Sequence, residues 1–361
     1  ISGYYSITAK CVTDTIKGYD TLGMQYADKY KGVDQRLGLL SLAGVKYMTV
    51  AHNSQVAKDV SSMGDVPYGV EKQSKKGNIT LYKNKYALPF AYAYDSYMTE
   101  QQYEQLNGVG KEQAMLAQII LDQHPADKEI QHNEQRNDPD IQTISLPETR
   151  ISSPKGKKYA DITVPVEKDK ETYLYFKNLV YHGKKNGDDN FILTGRKGTK
   201  GILVTQNDVQ QKIHIQSTFN PYYFGRKDYI VKINHQASKA KEKVRLNFLS
   251  PGEYEFDDIS LITVPKKDVF AKLKERKKNS MKQIQYEGNH FRGVYHAKKD
   301  RILCVTIPYS KGWKATVNGK RAKIYKANGM FMGIVMKKGT QNVKLDYETP
   351  GLKIGACISL V

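Results

Sequence analysis

Apolar and polar positions follow mixed periods over the first 122 residues, where both helical and strand-like spacing occur. The helical stretches are 37–43 and 111–121, and the strand-like runs are 45–50 and 79–82. Thr99 is followed three residues later by Gln102, which matches the capping box of a helix start. Mixed periods of this kind predict a mixed α/β domain over residues 1–122.

The pattern changes over the next part of the chain. Residues 123–158 carry turn chemistry at three proline-containing clusters, so we expect a linker or loop region there. From 159 to 264, short apolar runs recur at a spacing of roughly 8–12 residues, separated by turn signals. This spacing predicts an antiparallel β-sandwich with a jelly-roll-like arrangement over residues 159–264.

The last third returns to strands after one basic segment. Residues 265–283 have a helical period and predict a connecting basic helix with a solvated charged face. The apolar run 302–307 indicates a strand buried on both faces, and Asn318-Gly319 is a strong hairpin signal. A second, smaller β-sandwich is therefore predicted over residues 284–350. The fold class expected for the whole chain is α+β: an N-terminal mixed α/β domain followed by antiparallel β-sandwich (jelly-roll-like) domains.

The tail, residues 351–361, is apolar apart from Lys353. Two interpretations are open: a last core strand, or the start of a transmembrane helix. No stretch reaches the ~20 apolar residues of a complete membrane span. The chain begins with Ile1 rather than Met and has no signal-peptide pattern. We therefore expect a piece of a longer protein or a processed product.

The net charge of the chain favours an anionic partner but does not identify its class. The chain has 57 Lys and Arg against 37 Asp and Glu, a formal net charge of +20. Such a field attracts nucleic acid, anionic lipid and anionic wall polymers alike. Basic residues interleaved with aromatic ones on one platform are nearly absent, so we expect no nucleic acid partner. Three widely spaced cysteines, Cys11, Cys304 and Cys357, favour neither a disulfide framework nor a metal site.

The usual catalytic signatures are missing. The segment 108–111 (Gly-Val-Gly-Lys) hints at a phosphate loop, but Gln105 and Glu112 stand where that motif needs Gly and Ser or Thr. Asp138 and Asp140 have the spacing of a metal-binding carboxylate pair but lie in a polar loop. We predict no catalytic residue, no metal site and no cofactor in this part of the chain.

Carbohydrate binding is the remaining candidate chemistry. Aromatic faces and short polar or charged groups on β-sandwiches suit sugars, and the candidate ligand-binding residues are Tyr222, Tyr223, Arg226, Trp313, Asp257 and Asp258. The aromatic residues and the aspartates have ordinary structural interpretations as well. The tyrosines and the tryptophan can be packing residues, and of the two aspartates one can face outward while the other bonds a turn.

Five segments of the chain carry a resemblance to a known family. The run 307–319 (Ile-Pro-Tyr-Ser-Lys-Gly-Trp-Lys-Ala-Thr-Val-Asn-Gly) with 327–334 and 347–351 resembles the last extracellular segment of YfhO-type bacterial membrane proteins. Residues 39–47 resemble that family's L-x-x-L-x-x-V-K-Y stretch. Residues 84–92 resemble its N-x-x-A-L-P-x-G-Y stretch, with Ala91 in place of the small Gly. The matches extend from Leu39 to Gly351 and are specific when taken together.

The resemblance implies a polytopic protein similar to multi-spanning, lipid-linked-sugar glycosyltransferases. It implies an outer-face domain with membrane helices before and after it, located at the cell membrane of a Gram-positive bacterium. It implies a role in adding sugars to wall polymers such as lipoteichoic acid, with a polyprenyl-phosphate sugar donor. The catalytic carboxylate of such transferases lies early in the chain, so none is assigned here and this part is not expected to be an enzyme by itself. The tail then becomes the entry to the next membrane helix.

Three functional hypotheses follow. The domain could position an anionic glycopolymer acceptor beside its own transmembrane part at the membrane surface, using the positive field. It could be a surface carbohydrate-binding module without a linked transferase. It could also be a purely structural domain that supports its membrane part and binds nothing. The sequence favours them in the order first, third, second.

Overall fold

The computed structural model describes residues 3–4, 10–22, 24–26, 29–30, 32–51, 67–126, 130–133, 139–144, 148–183, 201–207, 209–215, 225–233 and 240–359. Strands far outnumber helices in these ranges. The helices are α1 (Lys10–Lys17), α2 (Leu37–Leu42), α3 (Glu100–Tyr103), α4 (Gly108–Ala117), α5 (Lys266–Lys278) and α6 (Leu352–Ser359).

The strands of the first half are β1 (Gly3–Tyr4), β2 (Met24–Tyr26), β3 (Lys29–Tyr30), β4 (Tyr47–Ala51), β5 (Val70–Lys76), β6 (Ile79–Asn84), β7 (Ala91–Tyr94), β8 (Ser96–Thr99), β9 (Ile119–Leu121), β10 (Gln131–His132), β11 (Asp140–Ile144), β12 (Arg150–Ser153), β13 (Lys158–Pro165), β14 (Lys170–Lys177) and β15 (Val180–Gly183).

The strands of the second half are β16 (Gly201–Gln206), β17 (Val209–His214), β18 (Tyr229–Ile233), β19 (Lys241–Phe248), β20 (Gly252–Glu255), β21 (Asp258–Pro265), β22 (Lys282–Glu287), β23 (His290–Ala297), β24 (Arg301–Val305), β25 (Trp313–Val317), β26 (Lys320–Ala322), β27 (Tyr325–Ala327), β28 (Phe331–Met336) and β29 (Gly339–Tyr347).

These strands form several mostly antiparallel sheets. Their spatial orders are β1-β3-β2, β4-β6-β5, β10-β8-β9-β27-β28-β24-β7, β11-β21-β14-β18, β12-β20-β15, β13-β19-β16-β17 and β22-β23-β29-β25-β26. The pairings of β8 with β9 and with β10 are parallel. The structure is mostly strands with few helices, so the predicted α+β class fits it only roughly. The sandwich or jelly-roll arrangement stays a prediction.

The seven-stranded sheet joins the two ends of the chain. Strands β7 to β10 come from residues 91–132, whereas β24, β27 and β28 come from residues 301–336, and β24 pairs directly with β7. All five residues of β24 are buried, which the apolar run 302–307 predicted. The first and last of the predicted domains therefore share a sheet. Local composition does not reveal which strands pair, so this sharing was not predicted.

The side chains of this sheet alternate between two cores. Tyr92 and Cys304 face the cluster shared with α2, α4 and α5, while Ala93 and Leu303 face the cluster shared with the sheet of β22 and β29. Sheet β11-β21-β14-β18 does the same, since Tyr173 joins the first cluster while Leu174 joins the cluster inside residues 151–261. Period-2 alternation between two apolar environments explains why these strands are apolar throughout.

Most of the local elements predicted from short sequence patterns form in the structure. The capping box at Thr99 forms, with Gln102 as its partner. Asn318 and Gly319 both have positive φ, 49° and 78°, as the two-residue hairpin between β25 and β26 requires. The predicted helix over 111–121 begins at Gly108 and ends at Ala117, and β9 follows. The predicted linker 123–158 contains β11 and β12, which pair with β21 and β20.

Helix α5 is more than a connection. Val269 and Leu273 are fully buried, and the Arg276 guanidinium donates to the Ala93 carbonyl at 2.8 Å and lies 4.6 Å from the Tyr94 ring centroid. The remaining basic residues of the helix are exposed or half-buried, as the predicted charged face requires.

The tail forms α6, so the interpretation of a last core strand is wrong. Leu352 and Ile358 are 62% and 71% exposed, which leaves an apolar helix without a packing partner on those side chains. Among the helices that the structure describes, none has the length and apolarity needed to cross a membrane. The start of a transmembrane helix at 351–361 remains a prediction.

Candidate anion-binding groove

Two of the family-like segments meet at the end of α2. The Val45 and Gly44 amides donate to the carbonyls of Leu40 and Ser41, and Gly44 has φ +71°. This is a Schellman ending, which needs a left-handed residue directly after the cap and so favours glycine there. The chain then turns at once into β4.

Asn84 holds the second segment against the first. Its buried side-chain amide donates to Ser41 Oγ at 3.1 Å and to the Val45 carbonyl at 3.0 Å, and its Oδ1 accepts from the Tyr86 amide at 2.9 Å. The Leu88 amide donates to the Ser41 carbonyl at 3.0 Å. These bonds fix residues 84–88 beside the end of α2, although the two segments are about forty positions apart in the chain.

An open groove of about 550 Å³ lies along this junction. Its volume is within the ~300–1,000 Å³ of small-molecule sites. Its lining has an apolar part and a basic part, and among the described residues it contains no carboxylate. The lining residues are Ala43, Gly44, Lys46, Lys83, Asn84, Lys85, Ala87, Leu88, Pro89, Phe90, Lys277, Ser280, Met281, Lys282 and Thr306.

The five lysines of the groove differ in their partners. Lys85 pairs with Glu71, and Lys277 Nζ donates to the Lys85 carbonyl at 2.9 Å. In the part of the chain that the structure describes, Lys46, Lys83 and Lys282 have no carboxylate partner. Lys83 lies opposite Glu71 in the β5–β6 pair, so its charge is partly offset. The charges of Lys46 and Lys282 are attenuated mainly by solvent and by salt, which screens charges over ~8 Å at physiological ionic strength. The groove has the electrostatics of an anion site.

One exposed aromatic ring, that of Phe90, lines the groove, and two more exposed rings contact lining residues. Phe90 and Tyr286 are each 55% exposed and stack with a centroid distance of 6.3 Å and an interplanar angle of 12°. Tyr47 is 52% exposed, and Lys46 Nζ lies 5.6 Å from its ring centroid. Rings that stay exposed beside a basic groove offer apolar faces to a ligand. Ammonium groups and ring faces together suit a ligand that alternates anionic groups with sugar rings.

The residues predicted as ligand contacts are not brought together at this groove. Tyr222 and Tyr223 lie outside the described residues. Asp257 is exposed and accepts from Asn178 Nδ2 at 3.1 Å, and Asp258 accepts from Ser260 Oγ at 3.0 Å. Trp313 lies on β25, its ring 5.1 Å from that of Tyr347, and lines a different cleft.

Arg226 is engaged by its own chain. Its guanidinium donates to the Asp20 carbonyl at 2.7 Å and to the Asp228 carbonyl at 3.0 Å, and it lies 4.2 Å from the Tyr229 ring centroid. It thereby joins the segment after α1 to β18. Burial, together with the negative charge of Asp228, raises the pKa of Asp20 to about 6 despite the lowering effect of Arg226.

The segment 108–111 is the start of α4 and not a phosphate loop. Asp20 Oδ2 accepts from the Gly108 amide at 2.8 Å, and Asn107 Oδ1 accepts from the Gly110 amide at 2.9 Å. A Cβ on Gly108 would lie 2.2 Å from the Tyr19 carbonyl oxygen, so close packing explains the glycine. The helix start is therefore occupied by the protein's own side chains.

Sequence reasoning missed the groove lysines. Lys46 and Lys85 lie in the family-like segments, so those segments could have pointed to the site. Lys277 and Lys282 come from α5 and β22, about two hundred positions further on, and only the fold places them there. Among the described residues there is no cluster of three or more metal-ligating side chains.

Comparison with known proteins places the chain in a family. Residues 1–359 match the family model described as bacterial membrane protein YfhO. The chain is 28% identical over 345 residues to the "Uncharacterized protein YfhO" of Bacillus subtilis (strain 168), which covers 94% of this chain and 37% of that protein. The chain thus spans little more than a third of that relative's length.

Solved structures add little to this. Arabinofuranosyltransferase AftD from Mycobacteria aligns at 13% identity and a TM-score of 0.19 over 47% of this chain and 12% of its own. A mutant of AftD aligns at 15% identity and a TM-score of 0.20, over 51% and 15%. At such scores the overall structures differ, and nothing about activity follows. The match along nearly the whole sequence is what decides the assignment: the chain belongs to the YfhO family of bacterial membrane proteins.

Proposed function

We propose that this chain is the extracellular domain of a polytopic, glycosyltransferase-like membrane protein, and that its basic groove holds the anionic glycopolymer that receives the sugar. The acceptor is a cell-wall polymer of the lipoteichoic acid type. The observation that supports this proposal is the groove at the end of α2. It has three lysines without a carboxylate ion-pair partner among the described residues, an apolar part and the exposed ring of Phe90.

Charge supports an anionic ligand. A polymer with phosphate groups along its backbone meets Lys46 after α2, Lys83 from β6 and Lys282 from β22, which line the same groove. Several lysines in one groove give a field that attracts a polyanion from a distance and releases it when salt screens the field. The chain's net charge of +20 acts in the same direction.

The apolar and aromatic part supports a sugar-bearing ligand. Phe90 keeps over half of its side chain exposed beside the apolar wall formed by Leu88, Pro89 and Met281. Sugar rings present C–H faces that pack on such surfaces, whereas simple phosphate does not. A polymer that alternates phosphate with glycosylated units therefore uses both halves of the groove.

The chemistry itself belongs to the rest of the protein. In this proposal the membrane part binds a polyprenyl-phosphate sugar donor and carries the catalytic carboxylate, while this domain contributes no catalytic residue. Holding the acceptor next to the membrane part raises its effective concentration there, which turns a bimolecular encounter into a local one. The domain's other partners are its own transmembrane part and the membrane surface.

Neutralising the groove lysines tests the proposal. In a triple variant, Lys46→Gln, Lys83→Gln and Lys282→Gln, we expect the affinity for purified lipoteichoic acid, measured by calorimetry, to fall about tenfold or more. The matched control changes three exposed lysines elsewhere, Lys75, Lys76 and Lys298, to Gln, so that net charge is equal in the two variants.

The outcomes separate the three functional hypotheses. A loss confined to the groove variant supports acceptor binding. An equal loss in both variants would mean that only the general field attracts the polymer. Binding by neither wild type nor variants would favour the purely structural domain. Binding that is strong for neutral glycans and insensitive to salt would favour a carbohydrate-binding module without an anionic acceptor.

A further inference from the structure

A second cleft of about 510 Å³ lies between the start of β25 and the segment after β26. Its lining combines two aromatic rings with four basic side chains, and no carboxylate among the described residues lines it. The lining residues are Tyr309, Ser310, Lys311, Trp313, Lys314, Ala315, Arg321, Ala322, Lys323 and Ile324.

Two of the four basic side chains bind other residues of the protein. Lys314 Nζ lies 2.7 Å from Glu348 Oε2, and Lys323 Nζ donates to Gln123 Oε1 at 2.8 Å. Lys311 and Arg321 are exposed, and within the described ranges neither has a hydrogen-bond or ion-pair partner. A guanidinium and an ammonium facing one cleft form a recognisable phosphate site, since Arg binds two oxygens at once and Lys adds a point charge.

The cleft lies beside the point where the chain leaves the sheet for α6. Trp313 pairs with Tyr347 at the end of β29, and the Glu348 amide donates to the Gly312 carbonyl at 3.0 Å. Helix α6 begins four residues later, at Leu352, and the side chains of Leu352 and Ile358 are exposed. A helix with that exposure is stable where apolar surroundings cover it, and in a family of membrane proteins the bilayer supplies them.

We propose that this cleft, with Lys311, Arg321 and Trp313, binds the phosphate of an anionic phospholipid headgroup at the membrane surface. Tryptophan, tyrosine and basic residues are the side chains that concentrate at the level of the headgroups. Trp313 lies with its ring at that interface while Lys311 and Arg321 contact the phosphate. The cleft thereby fixes the orientation of the domain above the bilayer.

This inference rests on the membrane location in the proposed function but not on the groove. A lipid is favoured over the wall polymer because of where the cleft lies along the chain. The cleft contacts the end of β29, a few residues before α6 begins, whereas the groove is built from α2, α5, β6 and β22. The groove variants leave the cleft intact and the cleft variants leave the groove intact, so failure of either proposal is distinguishable.

The chain contains a single tryptophan, so Trp313 reports on its own cleft. The chain is titrated with vesicles of phosphatidylglycerol or of phosphatidylcholine while Trp313 emission is recorded. We expect phosphatidylglycerol vesicles to shift the emission to shorter wavelength, with quenching by lipids brominated near the headgroup. In the double variant Lys311→Gln and Arg321→Gln, about tenfold more lipid is needed for the same shift.

The control is the double variant Lys75→Gln and Lys76→Gln, at the exposed tip of the β5–β6 hairpin, which removes the same charge and is expected to respond as wild type. Unchanged thermal unfolding of both variants confirms that they are folded. An equal response to the two lipids would show insertion of α6 alone and overturn the proposal. A similar shift with inorganic phosphate or soluble lipoteichoic acid backbone, without vesicles, would assign the cleft to a free anion or to the polymer. A wild-type response from the cleft variant would also overturn it.

Discussion

A buried ion pair connects three separate segments of the N-terminal part of the molecule. Arg36 is fully buried, its Nε 2.7 Å from Glu112 Oε2 and its Nη1 donating to the Tyr19 carbonyl at 2.9 Å. Burial favours the neutral form of each group, but the Glu112 carboxylate raises the pKa of Arg36 and keeps it charged. Removing one partner would leave the other charge unpaired, which is far more costly than losing the pair together.

Asp20 makes the stability of the folded state depend on pH. Its folded pKa is raised from 3.8 to about 6, so between these values the folded state retains a proton that the unfolded chain has released. Stability from this group is present below about pH 4 and is lost as pH rises through about 6. In Asp20→Asn this loss is absent, and Asn can still accept from the Gly108 amide.

Urea unfolding of wild type and Asp20→Asn over a pH series measures the difference. The gap between the two unfolding free energies should widen, in favour of the variant, from about pH 4 to about pH 7. Arg226 and Lys111 lower the pKa of Asp20 and Asp228 raises it, so all three remain unchanged in the comparison. A constant gap across the series would contradict the raised pKa.

Asn84 is the residue on which the groove depends. Asn84→Ala removes the bonds to Ser41 Oγ, the Val45 carbonyl and the Tyr86 amide. Leaving such buried groups unpaired costs about 1–3 kcal/mol each before relaxation, so we expect about 3 kcal/mol of destabilisation by urea unfolding, with weaker binding of lipoteichoic acid. Asn78→Ala, at an exposed turn, is the control and should change stability by less than about 0.5 kcal/mol.

At the scale of elements, local features were predictable and long-range partners were not. The apolar run of β24, the Asn318-Gly319 turn and the Thr99 cap all follow from residues within a few positions of one another. The pairing of Ala91 with Val305 joins residues more than two hundred positions apart, and many strands of similar composition could have served. The groove could not be predicted for the same reason, because α5 and β22, far along the chain from α2, supply part of its lining.

Helix α5 illustrates the difference between charge pattern and packing. Leu273 is fully buried in the core shared by α2, α4 and the seven-stranded sheet. We expect Leu273→Ala to lower the free energy of unfolding by about 2–5 kcal/mol, because the cavity adds to the lost transfer energy. The exposed neighbour Lys274→Ala should lie within about 0.5 kcal/mol of wild type. Similar small effects in both would mean that α5 is only a solvated connection.

At the scale of the molecule, the seven-stranded sheet makes the two ends of the chain depend on each other. Residues 139–265 carry a core of their own, built from β12 to β21. The segments before and after this range contribute strands to one shared sheet. In the seven-stranded sheet, β7 of the first segment pairs with β24 of the last, and β9 pairs with β27. The predicted domain over 1–122 therefore contains only part of its sheet.

A fragment of residues 1–122 tests this interdependence. Alone, it exposes the edges of β7 and β9 and the apolar faces of Tyr92, Ala93 and Leu121, so we expect no cooperative thermal unfolding by circular dichroism. Co-expression with residues 266–359 supplies β24, β27 and β28 and should give a complex that unfolds cooperatively. A fragment 1–122 that unfolds cooperatively by itself would show an independent N-terminal domain, and the sheet pairing would then be a docking contact between finished units.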